Sequence, residues 1–183
     1  MTYAVHTIES APEAAKGALV DASKAYGFLP NLLAVMSEAP ALLKAYRAAM
    51  GLFDETSFNP SERQVVLLTT SNENDCEYCV AAHSIIAAMQ KVPDEVVQAI
   101  REGNPIADAK LDALRRFTAS VVSTRGRPSD EDTKRFLNAG YAKAQILEVV
   151  LGVGMKTLSN YTNHIADTPL DQAFAEAAWS KVP

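Results

Sequence analysis

The chain has 183 residues, 48% of them hydrophobic and 21% charged, with a net charge of −5, which fits one globular domain or two small halves sharing a core. The acidic balance argues against a nucleic-acid partner, and no apolar run approaches the length needed to span a membrane. The opening stretch Met1–Ser10 lacks the basic and apolar segments of a signal peptide, so a cytoplasmic location is expected.

Period-two alternation is scarce, while Ala, Leu, Glu, Lys and Gln abound, so the whole chain reads as helix. Helices are expected at about 11–26, 30–37, 39–54, 60–72 and 75–90. Further helices are expected at about 93–102, 106–124, 129–138, 142–166 and 169–178. Asn59-Pro60-Ser61-Glu62 supplies an N-cap, a proline at the first helical position and the glutamate of a capping box. Thr168-Pro169-Leu170-Asp171 repeats that grammar, Val92-Pro93-Asp94-Glu95 is a looser copy, and Ser129 precedes three acids. Gly103-Asn104-Pro105 and Arg125-Gly126-Arg127-Pro128 mark the clearest loops.

The expected architecture is a single all-α domain over 1–183. A possible degenerate repeat lies within it, because the shift that carries Gln64 onto Gln145 also carries His83 onto His164. The core unit is then 60–90 and its second copy 142–166, with Thr157 and Asn160 where the first has its cysteines.

Cysteine usage is more informative still. The chain has two cysteines, Cys76 and Cys79. In a cytosolic protein an isolated C-x-x-C indicates redox chemistry or part of a metal site. On a helix, Cys76, Cys79 and His83 share one face over about two turns. With Asn74 or Asp75 as N-cap, both thiols fall in the first turn, where free N–H groups and the helix dipole favour thiolate. Glu77 and Glu73 oppose that effect, and His83 is placed to stabilise the Cys79 thiolate or to shuttle a proton.

The segment 61–84, Ser-Glu-Arg-Gln-Val-Val-Leu-Leu-Thr-Thr-Ser-Asn-Glu-Asn-Asp-Cys-Glu-Tyr-Cys-Val-Ala-Ala-His-Ser, resembles the core motif of the carboxymuconolactone decarboxylase/AhpD superfamily. Its C-x-x-C-x-x-x-H is similar to the alkylhydroperoxidase branch, since the decarboxylases lack that cysteine pair. The stretch 160–171 looks like other members of the superfamily. The resemblance implies an AhpD-like helical fold and a homo-oligomer, trimer or hexamer. It implies reduction of alkyl hydroperoxides, with Cys79 attacking the peroxide, Cys76 resolving the sulfenic acid and His83 in the proton relay. Neither metal nor organic cofactor is implied, and the partners are a hydroperoxide and a dithiol reductant of the lipoamide type, or a peroxiredoxin. There is one departure: Gln64 stands where the family places its relay carboxylate, and Gln cannot exchange a proton at neutral pH. Glu62, two residues earlier, faces about 200° away and has a capping-box role of its own.

Other readings stand beside this one. The pair can be small buried hydrophobes, or Cys76, Cys79 and His83 can bind zinc with His164 as fourth ligand. A superfamily lyase, or a non-enzymatic redox-sensing or zinc-binding helical oligomer, are the functional alternatives. His164 also has a structural reading, closing a hydrogen bond within 160–163. Tyr78 and the segment Phe28–Leu32 are candidates to line a pocket, and Gln64, on an apolar helix, needs a buried partner. The stripe Leu147, Val150, Leu151, Gly154, Leu158 is core or subunit contact.

Overall fold

The computed structural model describes residues 3–181; Met1, Thr2, Val182 and Pro183, the ends of the expected 1–183 domain, lie outside the described residues. Among the described residues there is no strand. The helices run α1 (Glu13–Tyr26), α2 (Asn31–Met36), α3 (Pro40–Asp54), α4 (Pro60–Glu73) and α5 (Glu77–Met89). They continue as α6 (Asp94–Arg101), α7 (Ala109–Ser123), α8 (Asp130–Asn138) and α9 (Lys143–Ala166), and a 3₁₀ helix, Gln172–Ala177, closes the chain. The protein is all-α with the arrangement expected, and among the described residues no helix is long and apolar enough to cross a membrane.

Local chemistry sets several helix starts. The Asn59 side chain accepts from Glu62 N at 2.9 Å, Asn59 N donates to the Glu62 carboxylate at 3.0 Å, and Pro60 occupies the first turn. Ser129 caps α8 and Asp108 caps α7 in the same way.

α4 is the axis of the fold. Every residue from Gln64 to Asn72 is buried, and α5, α6, α7 and α9 pack around it. That explains why its sequence shows no one-sided stripe: Val65–Leu68 cover every face, and the buried Thr70 and Ser71 hydroxyls donate back to Val66 O and Leu67 O. α9 crosses both α3 and α4, and Gly152 sets how closely: a Cβ there would lie 2.7 Å from Phe53 Cε2 and 2.7 Å from Val66 Cγ1. A stack of Phe117, Phe136 and Tyr141, with successive centroids 4.5 Å apart, ties α7 and α8 to the start of α9.

Two details differ from expectation. Asn74 ends α4 and Asp75 takes a left-handed conformation (φ 53°), so Cys76 is itself the N-cap of α5 rather than a first-turn residue. After Pro169 no α-helix forms, because the Asp171 carboxylate is drawn away to Asn31 N at 3.2 Å and to the Tyr78 hydroxyl. The chain then turns only as the 3₁₀ helix. As the expected helix bounds had it, the segment 145–164 lies within one unbroken helix, whereas 64–83 is divided between α4 and α5.

Gly152→Ala should destabilise the protein by about 1–3 kcal/mol through overpacking, lowering Tm by roughly 2–12 °C. Calorimetry showing an unchanged or higher Tm would refute this view of the α3–α4–α9 contact.

Candidate active site

The turn that presents the cysteines is pinned from several sides. Cys76 N donates to Ser71 O at 2.9 Å. Asn74 Nδ2 donates to Asn160 Oδ1 at 2.9 Å, and Lys181 pairs with Asp75 at 2.6 Å. Cys76 O then accepts from Val80 N at 3.0 Å, the first hydrogen bond of α5. Cys79 is therefore the third helical residue, among backbone N–H groups that have no partner within the helix.

Both thiols are buried, Cys76 at 1% and Cys79 at 2% exposure, and they are free rather than disulfide-bonded. The α9 face opposite them is polar. Asn163 Nδ2 donates to Cys79 Sγ at 3.3 Å and reaches Cys76 Sγ at 3.6 Å, while Ser159 Oγ lies 3.8 Å from Cys79 Sγ. Lys156, only 1% exposed, lines one pocket with Cys79 and Tyr46, near enough for its charge to act on the thiol.

This environment separates the two sulfurs. Burial opposes ionisation of Cys79, but the hydrogen bond from Cys76, the Lys156 cation and Ser159 together hold its thiol well below the ordinary value. Cys76 is pushed the other way, first by donating that hydrogen bond, then by burial and the neighbouring negative charge. Lys156 loses hydration on burial, yet the adjacent thiolate keeps it protonated. The surroundings thus favour the thiolate at Cys79 and the thiol at Cys76, with the buried Lys156 ammonium as the balancing charge.

His83 does not bond either sulfur. Its Nδ1 meets Gln64 Oε1 at 3.0 Å, and Gln64 Nε2 donates onward to Gln90 Oε1 at 3.1 Å. Gln64 is 4% exposed, and this is the partner its burial demanded. Because the Gln64 amide oxygen can only accept, Nδ1 carries the proton and donates it in this bond, and Nε2 of the neutral ring is left as an acceptor. Burial and the nearby Lys156 lower the His83 pKa well below its ordinary value, so the ring is neutral at neutral pH. Glu62 stays in its capping box and pairs with Lys110 at 3.0 Å, away from the thiols.

Two openings reach the dithiol. A small apolar pocket of about 70 Å³ exposes Cys79, His83 and Lys156 among Leu32, Tyr46 and Phe174. A polar cleft of about 360 Å³ exposes Cys76 between the start of α5 and the end of α9. Tyr78 borders both, held by its hydroxyl bond to Asp171 and by accepting from Leu32 N at 3.3 Å. Of the segment 28–32, Pro30 and Leu32 line the apolar pocket. His164 is exposed, stacks on Tyr161 at 6.5 Å and lies on the polar cleft, so it does not converge with His83. Among the described residues no three His, Cys, Asp or Glu side chains are grouped to hold a metal ion.

Residues 37–119 match the carboxymuconolactone decarboxylase family. A structure from Ralstonia eutropha JMP134, described as an alkylhydroperoxidase AhpD core and uncharacterized peroxidase-related protein, superposes with a TM-score of 0.82 at 19% identity, covering 94% of this chain and 93% of that one. An uncharacterized peroxidase-related protein from Silicibacter sp. TM1040 gives 0.79 at 16% identity, with 94% and 93% covered. The chain thus has the AhpD-like helical fold, and the segment that matches the carboxymuconolactone decarboxylase family is the one that carries the dithiol. The fold also houses other chemistry: a cysteine-to-alanine variant of the debrominase Bmp8, bound to 2,3,4-tribromopyrrole, gives a TM-score of 0.76 at 17% identity over 90% of this chain and 89% of that one. No curated protein matches the sequence.

Within this superfamily fold, the residue that sequence reading missed is Lys156. It had a signal. Val149, Gly152, Lys156, Ser159 and Asn163 recur at helical spacing, so the lysine shares the stripe that must be buried. Lys156→Met should raise the Cys79 pKa. With the cation present, Cys79 stays reactive as pH falls below neutral and loses reactivity only on passing its lowered pKa. Without it, alkylation of Cys79 by iodoacetamide at about pH 6 should drop at least roughly tenfold and recover in alkali. Superimposable pH profiles for the two proteins, read by mass spectrometry at Cys79, would contradict the pairing.

Proposed function

We propose that the protein is a thiol peroxidase that reduces small hydroperoxides through a Cys79/Cys76 dithiol–disulfide cycle. What carries this reading is the asymmetric dithiol: a thiolate at Cys79 facing a pocket, backed by a thiol at Cys76 and a buried ammonium at Lys156.

The cycle follows from those charges. The Cys79 thiolate attacks the terminal peroxide oxygen, the O–O bond breaks, and Cys79 becomes a sulfenic acid. The departing alkoxide takes the Lys156 proton and leaves as alcohol. Cys76 passes its proton to Lys156 and attacks Cys79 sulfur, forming the disulfide, and the released hydroxide takes that proton as water. One thiolate, one thiol and one ammonium thus become a disulfide and a neutral amine, which suits a lysine that has lost its counter-ion in a buried site. Lys156 in this way supplies the proton that Gln64 cannot. His83, fixed by Gln64, offers Nε2 to the peroxide O–H and orients it.

The pocket, about 70 Å³, is smaller than the roughly 150 Å³ cavity that accommodates benzene. Hydrogen peroxide and short alkyl hydroperoxides are therefore the favoured substrates, with longer ones limited to inserting their peroxide end. A reducing cytoplasm with a dithiol carrier or a peroxiredoxin partner suits such a cycle. The exposed apolar residues Leu147, Val150, Tyr161 and Ile165 along α9 support assembly of several copies.

Cys79→Ser should abolish peroxide turnover. Cys76→Ser should consume one equivalent of peroxide and stop at a dimedone-trappable sulfenic acid on Cys79. Full turnover by folded Cys79→Ser protein, or dimedone labelling at no cysteine of the Cys76→Ser protein, would refute the proposal.

A further inference from the structure

The two sulfurs open on opposite sides. Cys79 lines the apolar pocket and Cys76 does not; Cys76 lines the polar cleft and Cys79 does not. Tyr78, anchored to Asp171, stands between the two openings. The cleft has about five times the volume of the pocket, 360 Å³ against 70 Å³. Its wall holds Asn163, which is 5% exposed and touches both sulfurs through Nδ2, while its buried Oδ1 has no hydrogen-bond partner. The buried Thr168 hydroxyl on the same wall is likewise unpartnered. Unsatisfied buried polar atoms beside a reactive sulfur point to a ligand that brings hydrogen-bonding groups. Glu77 and Asp167 supply negative charge there, whereas Asp75 is neutralised by Lys181 at 2.6 Å.

We propose that the oxidised protein is re-reduced through this cleft, by a neutral or cationic dithiol that attacks Cys76, while peroxide is met on the other side at Cys79. The inference rests on the dithiol cycle proposed above. In the first step a reductant thiolate forms a bond to Cys76 Sγ, the Cys76–Cys79 bond breaks, and Cys79 leaves as thiolate. In the second, the reductant's other thiol attacks its own sulfur in the mixed disulfide. Cys76 leaves and takes a proton, and the reductant departs as a disulfide. Two protons come from the dithiol: one ends on Cys76 and the other restores the Lys156 ammonium beside the Cys79 thiolate.

Chemistry and geometry agree on this direction. Exchange is fastest when the departing sulfur is the more acidic one, and Cys79 is that sulfur. Attack on Cys79 would instead expel Cys76, the poorer leaving group, and would have to come through the narrow apolar pocket. A separate route also lets a bulky carrier approach without displacing peroxide. An anionic thiol such as glutathione meets Glu77 and Asp167 and is disfavoured.

The test starts from protein oxidised with diamide, so that it does not depend on peroxide chemistry. Cysteamine, 2-mercaptoethanol and 3-mercaptopropionate are compared as reductants, per thiolate, and the quenched mixed disulfide is mapped by mass spectrometry. The expected result is a mixed disulfide on Cys76, with cysteamine at least several-fold faster than mercaptopropionate. Glu77→Gln combined with Asp167→Asn should erase that preference. A mixed disulfide on Cys79, or a charge preference that the double variant leaves unmoved, would overturn the cleft assignment alone. Failure to form any 76–79 disulfide with diamide would overturn the dithiol reading beneath it.

Discussion

A thiolate and an ammonium buried side by side, Cys79 and Lys156, constrain the rest of this structure. Neither charge is tolerable alone at 1–2% exposure, and stripping one partner from such a pair costs about 3–5 kcal/mol. The pair therefore requires α5 and α9 to meet at one place, with their polar faces turned inward. Ser159 and Asn163 complete the shell around the thiolate, and Asn160 clamps the turn that carries Cys76. α4, buried along nearly its whole length, is the packing surface against which both helices are held.

That arrangement gives the dithiol a direction. The low-pKa sulfur faces the apolar pocket and acts as nucleophile when reduced and as leaving group when the disulfide is opened. The high-pKa sulfur faces the polar cleft and keeps its proton until the sulfenic acid calls for it. Lys156 follows the redox state, charged beside a thiolate and neutral beside a disulfide, so the buried site never holds an uncompensated charge.

Much of the fold was legible in the sequence, because helix boundaries are written in local chemistry. Pro60 and Ser129 mark starts that depend only on their immediate neighbours. The dithiol, His83 and the need of Gln64 for a partner were legible for the same reason. What was not legible depends on long-range contact. Cys76 leaves the helix because Ser71, Asn160 and Lys181 hold the turn in place. Asp171 does not open an α-helix, because Tyr78 and Asn31 claim its carboxylate. Lys156, in an otherwise apolar run, looks like a residue reaching for solvent until α5 is packed against it. The division of the two sulfurs between pocket and cleft is likewise a property of the assembled helices, since spacing alone puts both on one face.

The most direct measurement is a thiol count on reduced protein before and after one equivalent of tert-butyl hydroperoxide, with mass spectrometry on the 76–79 peptide. Rapid loss of both thiols as an intramolecular Cys76–Cys79 disulfide is the expected result. Thiols that remain free over hours would contradict the claim that this buried thiolate is a peroxide nucleophile.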